Sequence, residues 1–129
     1  MEKMQRLEEL VLSLTGYPGV ARCAVMSRLG QGDVLYDWNF GELDRPLLSA
    51  MVSSLLMIGE KFGQELDCSP MAYHLLAYGS SKLLMVPGDE DVALLVSFEG
   101  DGEREPFIDA ARRVAVEIGD LFRNRATGT

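Results

Sequence analysis

The sequence predicts an α+β sandwich in the order α-β-β-α-β-β-β-α, with helices on both faces of antiparallel strands. Three observations predict it. Apolar residues recur at helical spacing in three segments. Five short strand-like runs stand between those segments, bounded by Gly, Pro, Ser and Asp. The central runs are apolar without alternation, which is the pattern of strands covered on both faces.

The first helix is marked by Met4, Leu7, Leu10, Val11 and Leu14, with Glu2, Lys3, Arg6, Glu8 and Glu9 between them. Gly16 supplies a stop and Pro18 forbids continuation. The chain then restarts at once as an apolar strand over 20–27, so the stop turns it from the helix layer directly into a central strand. Residues 28–33, with Gly30 and Gly32, read as a turn into a second strand over 33–40, which places Val34, Tyr36, Trp38 and Phe40 on one face. A long helix follows over 42–66, with Asp44 as N-cap and Pro46 in the first turn. Strand-like runs at 71–78, 82–86 and 91–98 are joined by Gly79-Ser80-Ser81 and Pro87-Gly88-Asp89-Glu90, turn compositions that make them an antiparallel meander. The last helix covers 105–122, its stripe formed by Phe107, Ile108, Ala111, Val114, Ala115, Ile118, Leu121 and Phe122. Residues 1–123 read as one domain and 124–129 as a polar tail expected to be disordered.

The runs Leu83-Leu84-Met85-Val86 and Val92-Ala93-Leu94-Leu95-Val96 need cover on both sides. The natural arrangement puts the two terminal helices on one face and the middle helix on the other. That middle helix carries one stripe of Leu43, Leu47, Ala50, Met51, Ser54, Leu55, Ile58 and Phe62. A second lies beside it: Leu48, Val52, Leu56, Gly59, Gly63 and Leu66. Its apolar arc is roughly 250° wide, against about 100° for a helix packed on one surface. A second partner surface is therefore implied, either inside the domain or on another molecule, with Gly59 and Gly63 as points of close backbone approach. The run at 71–78 begins the meander, and an apolar strand at a sheet edge needs a cover that a second copy of the chain could supply.

Composition excludes several function classes. Twenty acids against twelve Lys and Arg give a net charge of −8 over 129 residues, with no basic stripe to bind nucleic acid or an anionic membrane. No apolar stretch is long enough to span a bilayer, and no secretory pattern opens the sequence, so a reduced cytoplasm is the expected compartment. Cys23 and Cys68 form no CxxC pair, and Cys23 reads as a small core residue. His74, the single histidine, is flanked by Tyr73 and Leu75 and lacks the partners a triad or metal site requires, so it reads as a structural or interface residue. Neither a phosphate loop, GxSxG nor HExxH occurs, and Asp89-Glu90-Asp91 lacks calcium-loop spacing. No catalytic residue, metal site or cofactor is expected.

The helix ending in Leu14, the Pro18-Gly19-Val20 start of a small strand, the glycine turn at Gly30, Ala50 and Gly59 in the middle helix, the stretch from Gly79 to Pro87 and the Val92 to Val96 run occur together and in order. In that combination the chain resembles the roadblock family of dynein light chains, from about Leu7 to Phe122. The resemblance implies a profilin-like, five-stranded antiparallel sheet with the middle helix on one face and the terminal helices on the other. It also implies dimerisation through the middle helix and third strand, which selects Leu48, Val52, Leu56, Gly59, Gly63, Met71, Tyr73, His74, Leu76 and Tyr78 as interface residues. Family members act as non-catalytic platforms, and prokaryotic relatives regulate Ras-like small GTPases. The chain departs from the family pattern at two places: Tyr78 stands where an acidic residue is frequent, and Glu103-Arg104-Glu105-Pro106 lacks a glycine-led helix start.

The expected function is thus a homodimeric regulator of a Ras-like small GTPase, without an active site of its own. No arginine is marked as a finger: Arg45 opens a helix, and Arg112 and Arg113 lie on the solvent side of another. The alternatives are a dimeric assembly scaffold with no GTPase partner and a small-ligand sensor whose pocket Tyr36 and Trp38 could line.

Overall fold

The computed structural model describes residues 2–28, 33–89, 91–100 and 104–127. Three helices, α1 (Glu2–Thr15), α2 (Arg45–Glu65) and α3 (Arg104–Thr127), flank five strands: β1 (Val20–Ser27), β2 (Val34–Trp38), β3 (His74–Tyr78), β4 (Ser81–Pro87) and β5 (Val92–Glu99). The strands form one antiparallel sheet in the order β2-β1-β5-β4-β3: the expected hairpin and the expected meander join through the pairing of β1 with β5.

Both faces are covered. Leu7, Leu10, Val11 and Leu14 of α1 and Phe107, Ala111, Ala115 and Ile118 of α3 pack on one side, against Cys23, Val25, Leu84, Leu94 and Val96. On the other side α2 sets Val52 and Leu56 on Ala24, Met26, Met85, Ala93 and Leu95. Alternate residues of β5 thus serve two cores, so the strand has no polar face to show in its sequence. Asp44 caps α2 as expected, its carboxylate accepting from the Leu47 amide at 3.1 Å, with Pro46 in the first turn.

The stop after α1 is built from two tight bonds and one glycine. Tyr17 N–H donates to the Leu14 carbonyl at 3.2 Å, and Val20 N–H to the Tyr17 carbonyl at 3.3 Å. Between them Gly19 takes φ +86°, and its carbonyl accepts the Glu99 amide at 2.8 Å. A Cβ at Gly19 would stand 2.3 Å from the Glu99 carbonyl oxygen. Gly19→Ala is therefore expected to cost roughly 2–4 kcal/mol, from positive φ and backbone overlap together. Urea unfolding should show this as a lower midpoint at unchanged slope.

Two local expectations are corrected. Val25 pairs with Tyr36 and Met26 with Val34, so Leu35 is an extra residue in a bulge. The bulge turns Val34 toward α2 while Leu35, Tyr36 and Trp38 pack on the opposite side; Phe40, beyond the strand, joins the α2 core. Val34, Tyr36, Trp38 and Phe40 therefore do not share a face. Helix α3 continues through Thr127 where a polar tail was expected from Asn124. Residues 128–129, the glycine turn at 29–32, Glu90 and 101–103 lie outside the described residues.

Candidate protein–protein interface

The geometry of α2 decides which of its stripes can meet another molecule. Val52 is 3% exposed and Leu56 fully buried, and Leu48 packs partly against the same core. These three expected interface residues are instead the face α2 turns to its own sheet. Small residues directly beneath, Ala24 and Ala93, let the helix sit close. Gly59 and Gly63 also face inward. A Cβ on Gly59 would stand 2.7 Å from Met71 Sδ and 3.8 Å from His74 Nδ1, and one on Gly63 would stand 3.8 Å from Cys68 Cβ. The glycines thus admit the chain's own segment leading into β3, where a second backbone was expected.

The other stripe is the exposed one. Leu43, Leu47, Met51, Ile58 and Phe62 are 43–66% exposed, and Met57 and Leu66 flank them at 56% and 71%. A sequence signal for this existed. On a wheel of 100° per residue, Lys61 falls at the azimuth of Leu43 and Glu65 at that of Leu47. Two charges inside an apolar stripe mark its outward side.

Strand β3 lies at the sheet edge, as expected, and among the described residues it pairs only with β4. Tyr73 and Tyr78 are exposed there at 39% and 59%. Met71 and Leu76 pack partly into the α2 core, and His74 shares their face, opposite Met85 in register. Met71 and Tyr73 precede the strand, which begins at His74. On the helical wheel Phe62 and Leu66 fall between the exposed stripe and Gly59, so the apolar surface of α2 runs toward this edge. The opposite edge, β2, is braced by charge: Arg45 holds Asp37 through Nε at 2.8 Å and Nη2 at 3.1 Å, and the Tyr36 hydroxyl donates to Glu8 at 3.2 Å.

The other polar groups brace the fold. Arg28 donates to both Glu60 oxygens, at 2.6 and 3.2 Å, and to the Asp89 carbonyl at 3.0 Å, tying the end of β1 to α2 and to the β4–β5 turn. Arg45 is engaged by Asp37 and the Gly41 carbonyl, while Arg112 and Arg113 lie exposed on α3. Among the described residues, no three His, Cys, Asp or Glu side chains converge on a metal position. No described helix is long and apolar enough to cross a membrane. Tyr36 and Trp38 pack against the α1–α3 core, and an open cleft of about 530 Å³ lies elsewhere, lined by residues including Arg28, Glu60, Gln64, Pro70, Met71 and Pro87.

Burial pushes the Cys23 thiol up to about 12, while Cys68 is exposed. Ellman's reagent is expected to titrate one thiol in the native protein and two in denaturant. Because the unfolded Cys23 ionises near 9.0 and the folded one does not, its contribution to stability is lost as pH rises from about 9 toward 12.

The sheet ordered β2-β1-β5-β4-β3, with α2 on one face and α1 and α3 on the other, has the roadblock/LC7 fold, as the comparison with solved structures shows. Among solved structures, the chain is similar to a roadblock/LC7 domain from Streptomyces avermitilis, at TM-score 0.77 and 14% identity over 89% of this chain and 96% of that one. It is similar to Myxococcus xanthus MglB at TM-score 0.80 and 12% identity, covering 96% and 92% of the two chains. A structure of MglB with tetrameric arrangement matches at TM-score 0.76 and 14% identity, over 92% and 89%. No protein-family model and no curated protein matches the sequence.

Proposed function

We propose that this chain is a cytoplasmic regulatory module that works as a homodimer, binds a Ras-like small GTPase and modulates its nucleotide cycle without an active site of its own. The observation that carries this reading is the exposed apolar stripe of α2, Leu47, Met51, Ile58 and Phe62, running toward the open edge of β3. A contiguous apolar surface of this kind is the mark of an association site. The dimer seam runs along that outward stripe and the β3 edge, with Tyr73 and Tyr78, in place of the buried Val52 and Leu56. The existence of MglB in a tetrameric arrangement supports self-association on this fold. The resemblance to prokaryotic roadblock proteins supports a GTPase as partner.

The test is affinity capture from cell lysate, run in parallel with GDP and with a non-hydrolysable GTP analogue. Retention of a Ras-like GTPase mainly in one nucleotide state is the expected result. Partners retained equally under both nucleotides, with no GTPase among them, would replace this reading with that of an assembly scaffold.

A further inference from the structure

We propose that the cleft between the C-terminal half of α2 and the segment ahead of β3 binds an aliphatic ammonium ion, the group carried by a linear diamine or a lysine side chain. Its volume, about 530 Å³, is that of a small-molecule site. On the helical wheel Glu60 and Gln64, which line it, fall on a different side of α2 from the exposed apolar stripe. The cleft is thus separate from the association surface.

Three observations set the sign of the ligand. Arg28 is already engaged by both Glu60 oxygens and the Asp89 carbonyl, and its side chain is only 10% exposed, whereas that of Glu60 is 33% exposed. An incoming group therefore meets a carboxylate oriented by a guanidinium, with lone pairs to spare. One guanidinium against the two carboxylates of Glu60 and Asp89 also leaves the lining net negative, in a chain of net charge −8. Finally, Gly63 and Gln64 lie in the last turn of α2, which carries no basic residue to offset its negative end. A cation supplies what that turn lacks.

The walls set the rest of the ligand. Pro70, Met71 and Pro87 offer apolar surface beside the carboxylate, which suits a methylene chain better than a hydrated metal ion. Gly63 keeps the space open. Glycine is about 1 kcal/mol worse than alanine in a helix, yet a Cβ there would come no closer than 3.8 Å to Cys68 Cβ and 3.9 Å to the Ser69 carbonyl. Alanine would fit, so what the glycine excludes is a longer side chain that would fill the cleft. The loop is held before any ligand arrives: the Cys68 amide donates to the Gly63 carbonyl at 2.8 Å, and the Asp67 amide to the Gln64 carbonyl at 3.2 Å. Binding therefore needs little ordering of the chain.

The test needs neither a GTPase nor a dimer. The full chain is titrated calorimetrically, at physiological ionic strength, with putrescine and separately with Nα-acetyl-lysine amide. Saturable binding of one equivalent is expected, and magnesium chloride should not displace it. The tighter of the two amines identifies the source, a free diamine or a partner's lysine. Glu60→Gln, Gly63→Leu and Gln64→Lys should each weaken binding by about 10-fold or more, through loss of a charge-assisted bond, filling of the cleft and an ammonium already in place. Circular dichroism confirms that each variant folds. Should Glu60→Gln unfold for want of a partner to Arg28, the other two decide, since leucine improves the helix and Gln64 is exposed. No saturable binding at millimolar amine would overturn the proposal. So would displacement by magnesium, which marks a counter-ion only, or undiminished binding by any folded variant.

Discussion

Leu56→Glu is expected to unfold the protein. Leu56 is fully buried in an apolar core it shares with Ala24, Met26, Met85, Ala93 and Leu95. Removing a buried leucine costs about 2–5 kcal/mol. The incoming carboxylate must in addition remain charged without a partner or take up a proton, at a cost of several kcal/mol more. A domain of this size has roughly 5–15 kcal/mol in total, so the two terms together exhaust it. Circular dichroism should show loss of the cooperative thermal transition, while Leu56→Met, close in volume, should keep the transition within a few degrees. A soluble, folded Leu56→Glu variant would return Leu48, Val52 and Leu56 to the outside of the molecule.

The layered architecture was legible because continuous apolar runs such as Val92 to Val96 leave only one physical solution, a strand buried on both faces. The breaks were legible too: Asp44 has a local reason to stand where it does, and the stop after α1 falls where Gly16 and Pro18 placed it, although the glycine at positive φ is Gly19. The orientation of α2 was harder to read. An apolar arc that wraps most of a helix states that two surfaces are served and says little about which is internal. The smaller residues, Gly59 and Gly63, were read as contact points for another chain, when the first atoms to need that space were the chain's own: the Met71 and His74 side chains at Gly59, and Cys68 and Ser69 at Gly63. Lys61 and Glu65 carried the missing information. The bulge at Leu35 was illegible for a different reason. Both Val34-Leu35 and Tyr36-Asp37-Trp38 fit alternation on their own, and only pairing with β1 reveals the extra residue.

Phe62→Glu is expected to do what Leu56→Glu cannot, which is to separate the copies and leave each one folded. Phe62 is 66% exposed and Met51 52%, so neither is held by the core, and glutamate is at least as good a helix former as either. Stability of the isolated chain should therefore change by no more than about 0.5 kcal/mol. Association should change far more. In a two-fold dimer every residue is present twice, so a single substitution places two carboxylates in one seam and removes two aromatic anchors. Loss of one central aromatic anchor commonly costs about 2–4 kcal/mol, and two buried like charges add to it. A dissociation constant raised by about a thousandfold or more follows, since each 1.4 kcal/mol is tenfold. Sedimentation velocity at micromolar concentration should give a dimer for the native chain and a monomer for Phe62→Glu, with Met51→Glu behaving in the same way. If the native chain itself sediments as a monomer, the apolar stripe serves a different molecule, and the GTPase must be sought with single chains. If Phe62→Glu remains a dimer, the seam lies elsewhere, and the open edge of β3 at Tyr73 and Tyr78 becomes the place to disrupt next.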